Sequence, residues 1–256
     1  MIYIAHRGFR IGCDENTFQA FDRSVDLDMD YIELDVQLSQ DRKIFVIHDK
    51  ELDRTFEANG RISEKMSDEL QRVKSRNFNQ NLPTLRSVIE RYIGKGGNQK
   101  KIGLMIELKG EKTGKYVPKL LKKMDPAILE NVVFSGRYLE ELFRAHNYLP
   151  QVPLCLNITK CKEFNLDDLF ETESRGNLPL PFKMISLKSN LILDKEYAEK
   201  CHSLGASALA WGFIQYPEPE KKILKLLKRG IDGILFDSVQ TVPLVRKKLN
   251  REVLLA

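Results

Sequence analysis

Ionisable side chains stand in or at the ends of several short apolar segments of this 256-residue chain. These side chains are His6, Arg7, Glu33, Asp35, His48, Glu107 and Lys109. Residues two apart in an extended strand face the same side, so Glu33 and Asp35 share one face of their segment. The same spacing puts Glu107 and Lys109 on one face of another segment. Charged groups are almost never buried unless they are paired or bind a cation, so the pattern predicts a functional site.

Each of these groups has a chemical use that fits the others. The carboxylates Glu33, Asp35 and Glu107 form an oxygen-rich set of the kind that Mg²⁺ or Ca²⁺ prefers. Without a cation, carboxylates at close range raise one another's pKa. Arg7 can bind two phosphate oxygens through its guanidinium group, and Lys109 can add a point charge. A simple buried ion pair between Glu107 and Lys109 is an alternative that the sequence leaves open.

Two histidines complete the set of groups. The imidazoles of His6 and His48 have ordinary pKa values near neutrality, so one can act as a base and the other as an acid. The sequence leaves open which histidine takes which role. Trp211 is the only tryptophan and ends another apolar segment, where it either lines a pocket or belongs to the core.

These groups need regular elements to position them, and the chain alternates apolar segments with helical patterns. The nine apolar segments are residues 2–5, 31–36, 44–47, 102–108, 132–134, 152–156, 184–187, 206–211 and 231–236. Most lack strict alternation, as expected of strands that are buried on both faces. Alternating strands and helices predict an α/β fold of right-handed βα units. The length fits one (β/α)₈ TIM barrel, in which functional groups lie at the C-terminal ends of the strands.

The segment 44–47 is one strand too many for a simple eight-stranded barrel. The link at residues 39–43 is too short for a parallel crossover, which needs about a dozen residues. We therefore predict an antiparallel hairpin after the second strand, which brings His48 opposite residues 33–35. The polar region at about 51–82 is predicted to be a small insertion that caps one face of the barrel. The whole chain, 1–256, is predicted to be a single domain, with a polar loop at 94–101.

Composition excludes several classes of protein. Hydrophobic residues make up 42% of the chain, which suffices for a sizeable core and excludes a disordered chain. A formal net charge of +5 is too small to argue for nucleic acid, although it suits an anionic substrate. No apolar stretch reaches the roughly 18 residues that a membrane-spanning helix needs, so we expect no transmembrane segment.

The cysteines indicate a reducing compartment. They form no C-x-x-C pair and match no zinc spacing, so we expect reduced, mostly buried thiols. They are Cys13, Cys155, Cys161 and Cys201. The first strand follows the initial methionine with no signal-peptide pattern, which predicts a cytoplasmic protein; a signal peptide already removed from the sequence is the alternative left open.

Several motifs, taken together and in this order, resemble those of the glycerophosphodiester phosphodiesterase family. They are His6-Arg7-Gly8, Glu15-Asn16-Thr17 with Ala20-Phe21, Ile32-Glu33-Leu34-Asp35-Val36, His48-Asp49 with Leu52-Asp53-Arg54-Thr55, Leu82-Pro83-Thr84-Leu85, Ile106-Glu107-Leu108-Lys109 and Ile231-Asp232-Gly233-Ile234. They span nearly the whole chain. Individually most of them are weak, but jointly, at these spacings, they are highly specific.

The resemblance implies a TIM barrel that hydrolyses glycerophosphodiesters to glycerol 3-phosphate and an alcohol, by metal-assisted acid and base catalysis. It implies roles as follows: His6 and His48 as the acid and base pair, Glu33, Asp35 and Glu107 as metal ligands, Arg7 and Lys109 as phosphate contacts, and Trp211 as a substrate contact. The chain departs from the family at two places. The family usually has Thr, an apolar residue and Asn after that tryptophan, where this chain has Gly212-Phe213-Ile214-Gln215, and it usually has Asp-Gly where this chain has Asp41-Arg42.

Two other functions stay open at this stage. One is a related barrel phospholipase that acts on lysophospholipid or phosphoinositide head groups and releases a cyclic phosphate. The other is a barrel that binds a phosphorylated ligand without turning it over, although a binder needs no pair of histidines. The released alcohol, the choice of cation and the oligomeric state are also open.

Overall fold

The structure is a computed structural model that describes residues 1–10, 12–94, 102–159 and 181–254. Within these ranges it has nine strands, β1 to β9, which are Ile2–His6, Tyr31–Leu38, Ile44–Val46, Gly103–Leu108, Val132–Gly136, Leu154–Ile158, Phe182–Lys188, Ser207–Trp211 and Gly233–Phe236. The helices described there, α1 to α8, are Phe18–Asp26, Ser67–Leu70, Leu85–Tyr92, Thr113–Leu121, Leu139–Tyr148, Glu196–Ser203, Pro219–Leu227 and Thr241–Leu254. Short 3₁₀ helices add Ile62–Glu64 and Pro126–Asn131.

The nine predicted strands are all confirmed, and each observed end lies within two residues of the predicted one. The strands form one sheet in the order β1-β9-β8-β7-β6-β5-β4-β2-β3, and β1 also pairs with β2. Eight parallel strands thus close into a barrel with helices between them, and β3 is an extra strand. The predicted TIM barrel is therefore confirmed.

The chain divides into two compact units. One comprises Met1–Ile4 with Cys155–Ala256, and the other is Ala5–Leu154. In the first unit, β7, β8 and β9 are parallel neighbours. In the second unit, β2 lies between the antiparallel β3 and the parallel β4, and β5 follows β4. The single domain over residues 1–256 stays a prediction.

Strands β2 and β4 carry charged residues in positions that are otherwise apolar and buried. Every residue of β4 is buried, and on β2 only Tyr31 is partly exposed. The parallel register sets Asp35 beside Glu107. Burying a carboxylate costs much free energy unless a cation or a hydrogen-bond donor compensates, so these two strands point to the site.

The predicted hairpin is confirmed. Strands β2 and β3 are antiparallel, with Val36 opposite Val46. The N–H of Ile47 donates to the backbone oxygen of Asp35 at 2.9 Å. The next residue, His48, therefore stands beside Asp35, as the short link predicted.

One departure from the family pattern lies in the hairpin turn. Arg42 has a left-handed φ of +66°, a conformation that favours glycine. Its N–H donates to the backbone oxygen of Ser39 at 3.0 Å and closes the turn. The preceding Asp41 accepts from the hydroxyl of Ser67 at 2.6 Å and from its N–H at 2.9 Å, and these bonds lower the pKa of Asp41 to about 2. The hairpin tip is thereby joined to the start of α2.

The region between β3 and α3, which contains the predicted insertion, has an apolar cluster to which the adjoining strand β3 contributes. Its members are Phe45, Ile47, Leu52, Phe56, Ile62, Leu70, Val73 and Leu82. Isolated antiparallel bridges add hydrogen-bonded contacts within the segment. The insertion is thus compact although its sequence shows no clear periodicity, and its role as a cap stays a prediction.

The predictions about transmembrane segments and cysteines can be compared with the structure only within the described ranges. No described helix is long and apolar enough to cross a membrane. Cys13, Cys155 and Cys201 are buried thiols, which confirms the prediction for those three cysteines. Cys161 and residues 95–101 of the predicted polar loop lie outside the described residues.

Candidate active site

Three carboxylates from neighbouring strands face one another in the unit Ala5–Leu154. Glu33 and Asp35 lie on β2, and Glu107 lies beside Asp35 on β4. One carboxylate oxygen of each residue lies within 4.8 Å of the others. Glu33 and Asp35 are each 1% exposed and Glu107 is 7% exposed, so the three acids are almost closed off from bulk solvent.

Each carboxylate has one buried oxygen that no hydrogen bond satisfies among the described residues. These atoms are Oε1 of Glu33, Oδ1 of Asp35 and Oε1 of Glu107. Burial and the charge of Asp35 raise the pKa of Glu33 to about 8, and the same causes raise the pKa of Glu107. A hard divalent cation requires converging oxygen donors of this kind and would offset the repulsion, so the three residues fit such an ion.

Two basic side chains lie against Asp35. Nζ of Lys109 is 3.2 Å from Oδ1, and Nε of Arg7 is 3.3 Å from Oδ2. Burial would raise the pKa of Asp35, but the charges of Lys109 and Arg7 outweigh it and hold that pKa well below its usual range. Lys109 lies farther from Glu107, with Nζ 3.8 Å from Oε1, so it does not form a simple pair with that residue.

A turn with left-handed backbone fixes Arg7 after β1. Arg7 has a φ of +57° and Gly8 a φ of +69°. This conformation directs the N–H of Arg7 to Oε2 of Glu33 at 3.0 Å. A Cβ on Gly8 would lie 2.7 Å from the backbone carbon of Ala20, so the close approach of α1 requires glycine. Strained backbone of this kind is common where a side chain must be held in place.

Glu15 and Asn16 hold the site from the loop that precedes α1. Oε1 of Glu15 accepts from Nη1 of Arg7 at 3.1 Å and from Nη2 of Arg54 at 2.6 Å. Nδ2 of Asn16 donates to Oδ2 of Asp35 at 3.0 Å, and its Oδ1 accepts from the N–H of Asp35 at 3.3 Å. Asparagine tolerates the left-handed φ of +57° that this position has.

Both predicted histidines join the carboxylates. His6 ends β1, and its Nε2 lies 4.0 Å from Oε2 of Glu33. His48 follows β3 and is near enough to Asp35 to interact with its charge. Burial lowers the pKa of His48; the carboxylate of Asp35 opposes this effect, and the positive charge of Lys109 adds to it. The net result is a lowered pKa.

Asp49 and Arg54 hold His48 from the other side of its ring. Oδ1 of Asp49 lies 2.6 Å from Nδ1 of His48, and Oδ2 accepts from Nε of Arg54 at 2.5 Å. Burial would raise the pKa of Asp49, but the hydrogen bonds from Arg54 and His48 lower it. Because Arg54 also binds Glu15, a chain of hydrogen bonds connects His48 to the loop before α1.

Trp211 lies in the other unit, at the end of β8. Its Nε1 donates to the backbone oxygen of Ile158 at 3.4 Å, and Nζ of Lys188 lies 5.8 Å from its ring centroid. In the stretch that departs from the family, the N–H of Phe213 donates to Oδ2 of Asp237 at 2.7 Å. The contact between Trp211 and substrate stays a prediction.

The structure adds residues to which the sequence assigned no role. They are Glu15, Asn16, Asp49, Arg54 and Arg137; Nη2 of Arg137 lies 3.7 Å from Oε1 of Glu107. The first four could have been found only from their place in the family motifs, and Arg137 carried no signal. Their contacts join residues as far apart as 15 and 54, which spacing along the chain does not reveal.

Comparison with known proteins identifies the family of the chain. Residues 6–241 match the glycerophosphoryl diester phosphodiesterase family. The chain belongs to this family. Bacillus subtilis strain 168 has a relative, YhdW, described as a candidate glycerophosphodiester phosphodiesterase; it is 32% identical over 250 residues, which cover 93% of this chain and 94% of that protein. A glycerophosphodiester phosphodiesterase of Caldanaerobacter subterraneus is 29% identical over 253 residues, which cover 96% of this chain and 98% of that protein.

Solved structures support the barrel fold of this phosphodiesterase. A phosphodiesterase from Oleispira antarctica, solved in complex with the product sn-glycerol-3-phosphate, has a TM-score of 0.78 at 22% identity and covers 96% of this chain and 97% of its own. A protein from Silicibacter pomeroyi has a TM-score of 0.81 at 17% identity and covers 98% of this chain and 94% of its own. The predicted family and the prediction of a phosphoric diester hydrolase of this type are confirmed.

Proposed function

We propose that this phosphodiesterase hydrolyses glycerophosphodiesters to glycerol 3-phosphate and an alcohol, with a divalent cation, Mg²⁺ or Ca²⁺, and two histidines. The observation that carries the proposal is the set of three buried carboxylates that lie close enough to share a cation, each with one oxygen that has no hydrogen-bond partner among the described residues. Two basic side chains and both histidines surround that set. The relatives described as glycerophosphodiester phosphodiesterases, and the Oleispira enzyme with its bound product, support the choice of substrate.

Glu33, Asp35 and Glu107 would hold the cation through the oxygens that lack hydrogen-bond partners. When bound, the cation supplies positive charge that polarises a phosphate oxygen and lowers the pKa of a nearby hydroxyl. Arg7 and Lys109 bind the non-bridging phosphate oxygens and stabilise the negative charge that builds on them in the transition state. Because Glu15 already holds Arg7 in place, the side chain of Arg7 loses little conformational entropy when substrate binds.

His48 is the base and His6 the acid in this proposal. A lowered pKa keeps the imidazole of His48 neutral near pH 7, as a base requires. The contact with Asp49 favours a proton on Nδ1, so Nε2 can accept the proton of the attacking hydroxyl, which is either water or the substrate's own 2-hydroxyl. His6 then protonates the leaving alkoxide. Trp211 contacts the substrate, as the family resemblance implies.

Turnover of glycerophosphocholine, with and without EDTA, tests the proposal. We expect release of glycerol 3-phosphate that stops in EDTA and returns when Mg²⁺ or Ca²⁺ is added in excess. Full activity in EDTA would reject the cation, and no turnover of any diester would favour a binding protein. Phosphorus NMR of the product distinguishes this reaction from that of a related phospholipase, since only the latter accumulates a cyclic phosphate.

Substitution of His6 tests the acid role separately from the cation. His6→Ala should lower kcat by about 10²–10⁴-fold, the usual loss when a general acid is removed. A rate within tenfold of the wild type would contradict the assignment. His202→Ala is a matched control, because His202 is an exposed histidine that lies 2.8 Å from Asp232 in the other unit.

Two further expectations belong to the proposal, a single domain over residues 1–256 and a cytoplasmic location. Limited proteolysis tests the first, because a single domain should lose all its structure together. Two stable fragments that separate near residue 154 would contradict it. Fractionation of the cells that make the protein tests the second.

A further inference from the structure

A cleft rich in basic residues lies in the unit Ala5–Leu154. It encloses about 730 Å³, part of which is open to solvent. Four basic residues and one acidic residue contribute to its lining. They are Arg42, Lys50, Arg61, Lys112 and Glu111. We refer to it as the basic cleft.

Most of the positive charge in the basic cleft is not neutralised by the protein. Arg61 has a counter-ion, with Nε 3.8 Å from Oε1 of Glu51. Among the described residues, no carboxylate lies within salt-bridge distance of Arg42, Lys50 or Lys112. Cations that share a concave surface create a positive potential, which concentrates anions there.

The basic cleft is lined by residues of the same segments that carry the candidate active site. Gln37 lines it and lies two residues after Asp35 on the same face of β2, about 6.6 Å along the strand. Nε2 of Gln37 donates to the backbone oxygen of His48 at 3.3 Å. Lys50 follows His48 by two residues, and Gly110, also in the lining, directly follows the lysine that contacts Asp35. Three segments thus run from the catalytic groups into the cleft.

The balance of charge favours phosphate over carboxylate as the group that the cleft binds. A phosphate monoester carries about −1.5 to −2 charges near pH 7, whereas a carboxylate carries one. Arginine and lysine are the residues that commonly contact phosphate oxygens. With Arg61 paired to Glu51, three cations remain against the carboxylate of Glu111, and this net positive charge exceeds what a single carboxylate ligand would balance.

We propose that the basic cleft binds a second phosphate, carried by the alcohol that leaves from the diester. The inference rests on the proposed function and narrows its substrate class to diesters with a phosphorylated leaving alcohol. The diester phosphate lies at Arg7 and Lys109, and the second phosphate lies in the cleft near Lys50 and Lys112. Binding there contributes to specificity and needs no additional chemical step.

A matched pair of substrates tests the proposal. The pair is glycerophosphoglycerol and the same diester with a second phosphate on the leaving glycerol. We expect kcat/KM to favour the phosphorylated diester by more than tenfold at low salt, and the preference to shrink as ionic strength rises. In the double variant Lys50→Gln, Lys112→Gln the preference should fall by roughly tenfold, the factor that about 1.4 kcal/mol of binding free energy produces.

Lys43→Gln is the control, because Lys43 is an exposed lysine on the same hairpin that does not line the cleft. It should leave the preference unchanged. Equal kcat/KM for the two diesters, or a preference that survives the double variant, would overturn the inference. If the double variant weakens inhibition by inorganic phosphate but not the preference, the cleft binds free phosphate and the substrate assignment is wrong. Turnover of glycerophosphoglycerol, which lacks the second phosphate, shows in the same assay that the proposed function holds.

Discussion

Asp49 offers a test of how the hydrogen bonds around His48 support catalysis. Its Oδ1 lies 2.6 Å from Nδ1 of His48, and its Oδ2 accepts from Arg54. Asp49→Asn keeps the size of the side chain and one oxygen for Nδ1, but it removes the negative charge. The hydrogen bond to Asp49 is one of the features that raise the pKa of His48, and a neutral amide oxygen accepts that bond more weakly, so the substitution should lower that pKa further.

The size of the effect follows from the geometry and exposure of the pair. A hydrogen bond to a charged group contributes about 1.5–3 kcal/mol, and a neutral one about 1 kcal/mol. The side chains of His48 and Asp49 are 27% and 26% exposed, so solvent screening reduces the difference to about 1 kcal/mol. That difference corresponds to a roughly fivefold loss of kcat/KM, far below the loss expected on removal of His48 itself.

The pH profile of kcat/KM distinguishes this role from a purely structural one. If His48 is the base, its neutral form is required, so activity rises with pH through the pKa of His48. In Asp49→Asn this rise should move to lower pH, while the plateau falls roughly fivefold. Asp53→Asn is the control, because Asp53 lies on the same insertion and its carboxylate accepts from the N–H of Gly60 and from no other described group. An unchanged profile, or a rise that moves to higher pH, would refute the reasoning.

Four further predictions concern the carboxylates and the packing of the barrel. Glu33, with its pKa near 8, is mostly protonated at pH 7 without a cation, so cation binding should release up to about one proton from it, and affinity should rise with pH up to about 8. Calorimetry in buffers of different ionisation enthalpy measures this release, and pH-independent affinity would contradict it. The folded chain holds the proton of Glu33 more tightly than the unfolded chain does. The free energy of unfolding of the cation-free protein should therefore fall as pH rises from about 4.5 to about 8, and thermal unfolding measures this fall. Asn16→Gly removes two hydrogen bonds to Asp35 and should weaken cation binding by about tenfold, which corresponds to about 1.4 kcal/mol. An unchanged dissociation constant would show that these hydrogen bonds are not needed. Gly114→Ala should lower the free energy of unfolding by about 3 kcal/mol, since its Cβ would clash with the backbone oxygen of Glu141 in α5. Gly136→Ala, whose Cβ would lie 3.6 Å from its nearest atom, should cost much less in the same thermal melt.

The sequence was sufficient to predict the barrel because each buried parallel strand forms a continuous apolar segment. The hairpin was predictable for another reason, since the five residues that link β2 and β3 cannot form a parallel crossover. The carboxylates were predictable because a charge inside an apolar strand requires compensation, as the buried Glu33 and Asp35 illustrate. In each case a local pattern carries the information.

The supporting residues were not predictable because their contacts depend on the folded chain. The ion pair of Glu15 with Arg54 spans 39 positions, and nothing in either local sequence indicates the partner. The left-handed turn at Arg7 is also invisible, because arginine rarely adopts that conformation and no sequence rule assigns it. The insertion itself was predicted, but its apolar cluster was not, because the apolar residues of the insertion follow neither a helical nor a strand period.

These supporting contacts connect the insertion to the candidate active site. Arg54 lies within the insertion, between Leu52 and Phe56 of its apolar cluster, and it binds both Asp49 and Glu15. Local unfolding of the cluster would therefore release His48 on one side and Arg7 on the other, although neither residue belongs to the insertion. Segments of this kind open at lower free energy than a barrel core does. Activity should therefore be lost when the insertion unfolds locally, before the whole chain unfolds.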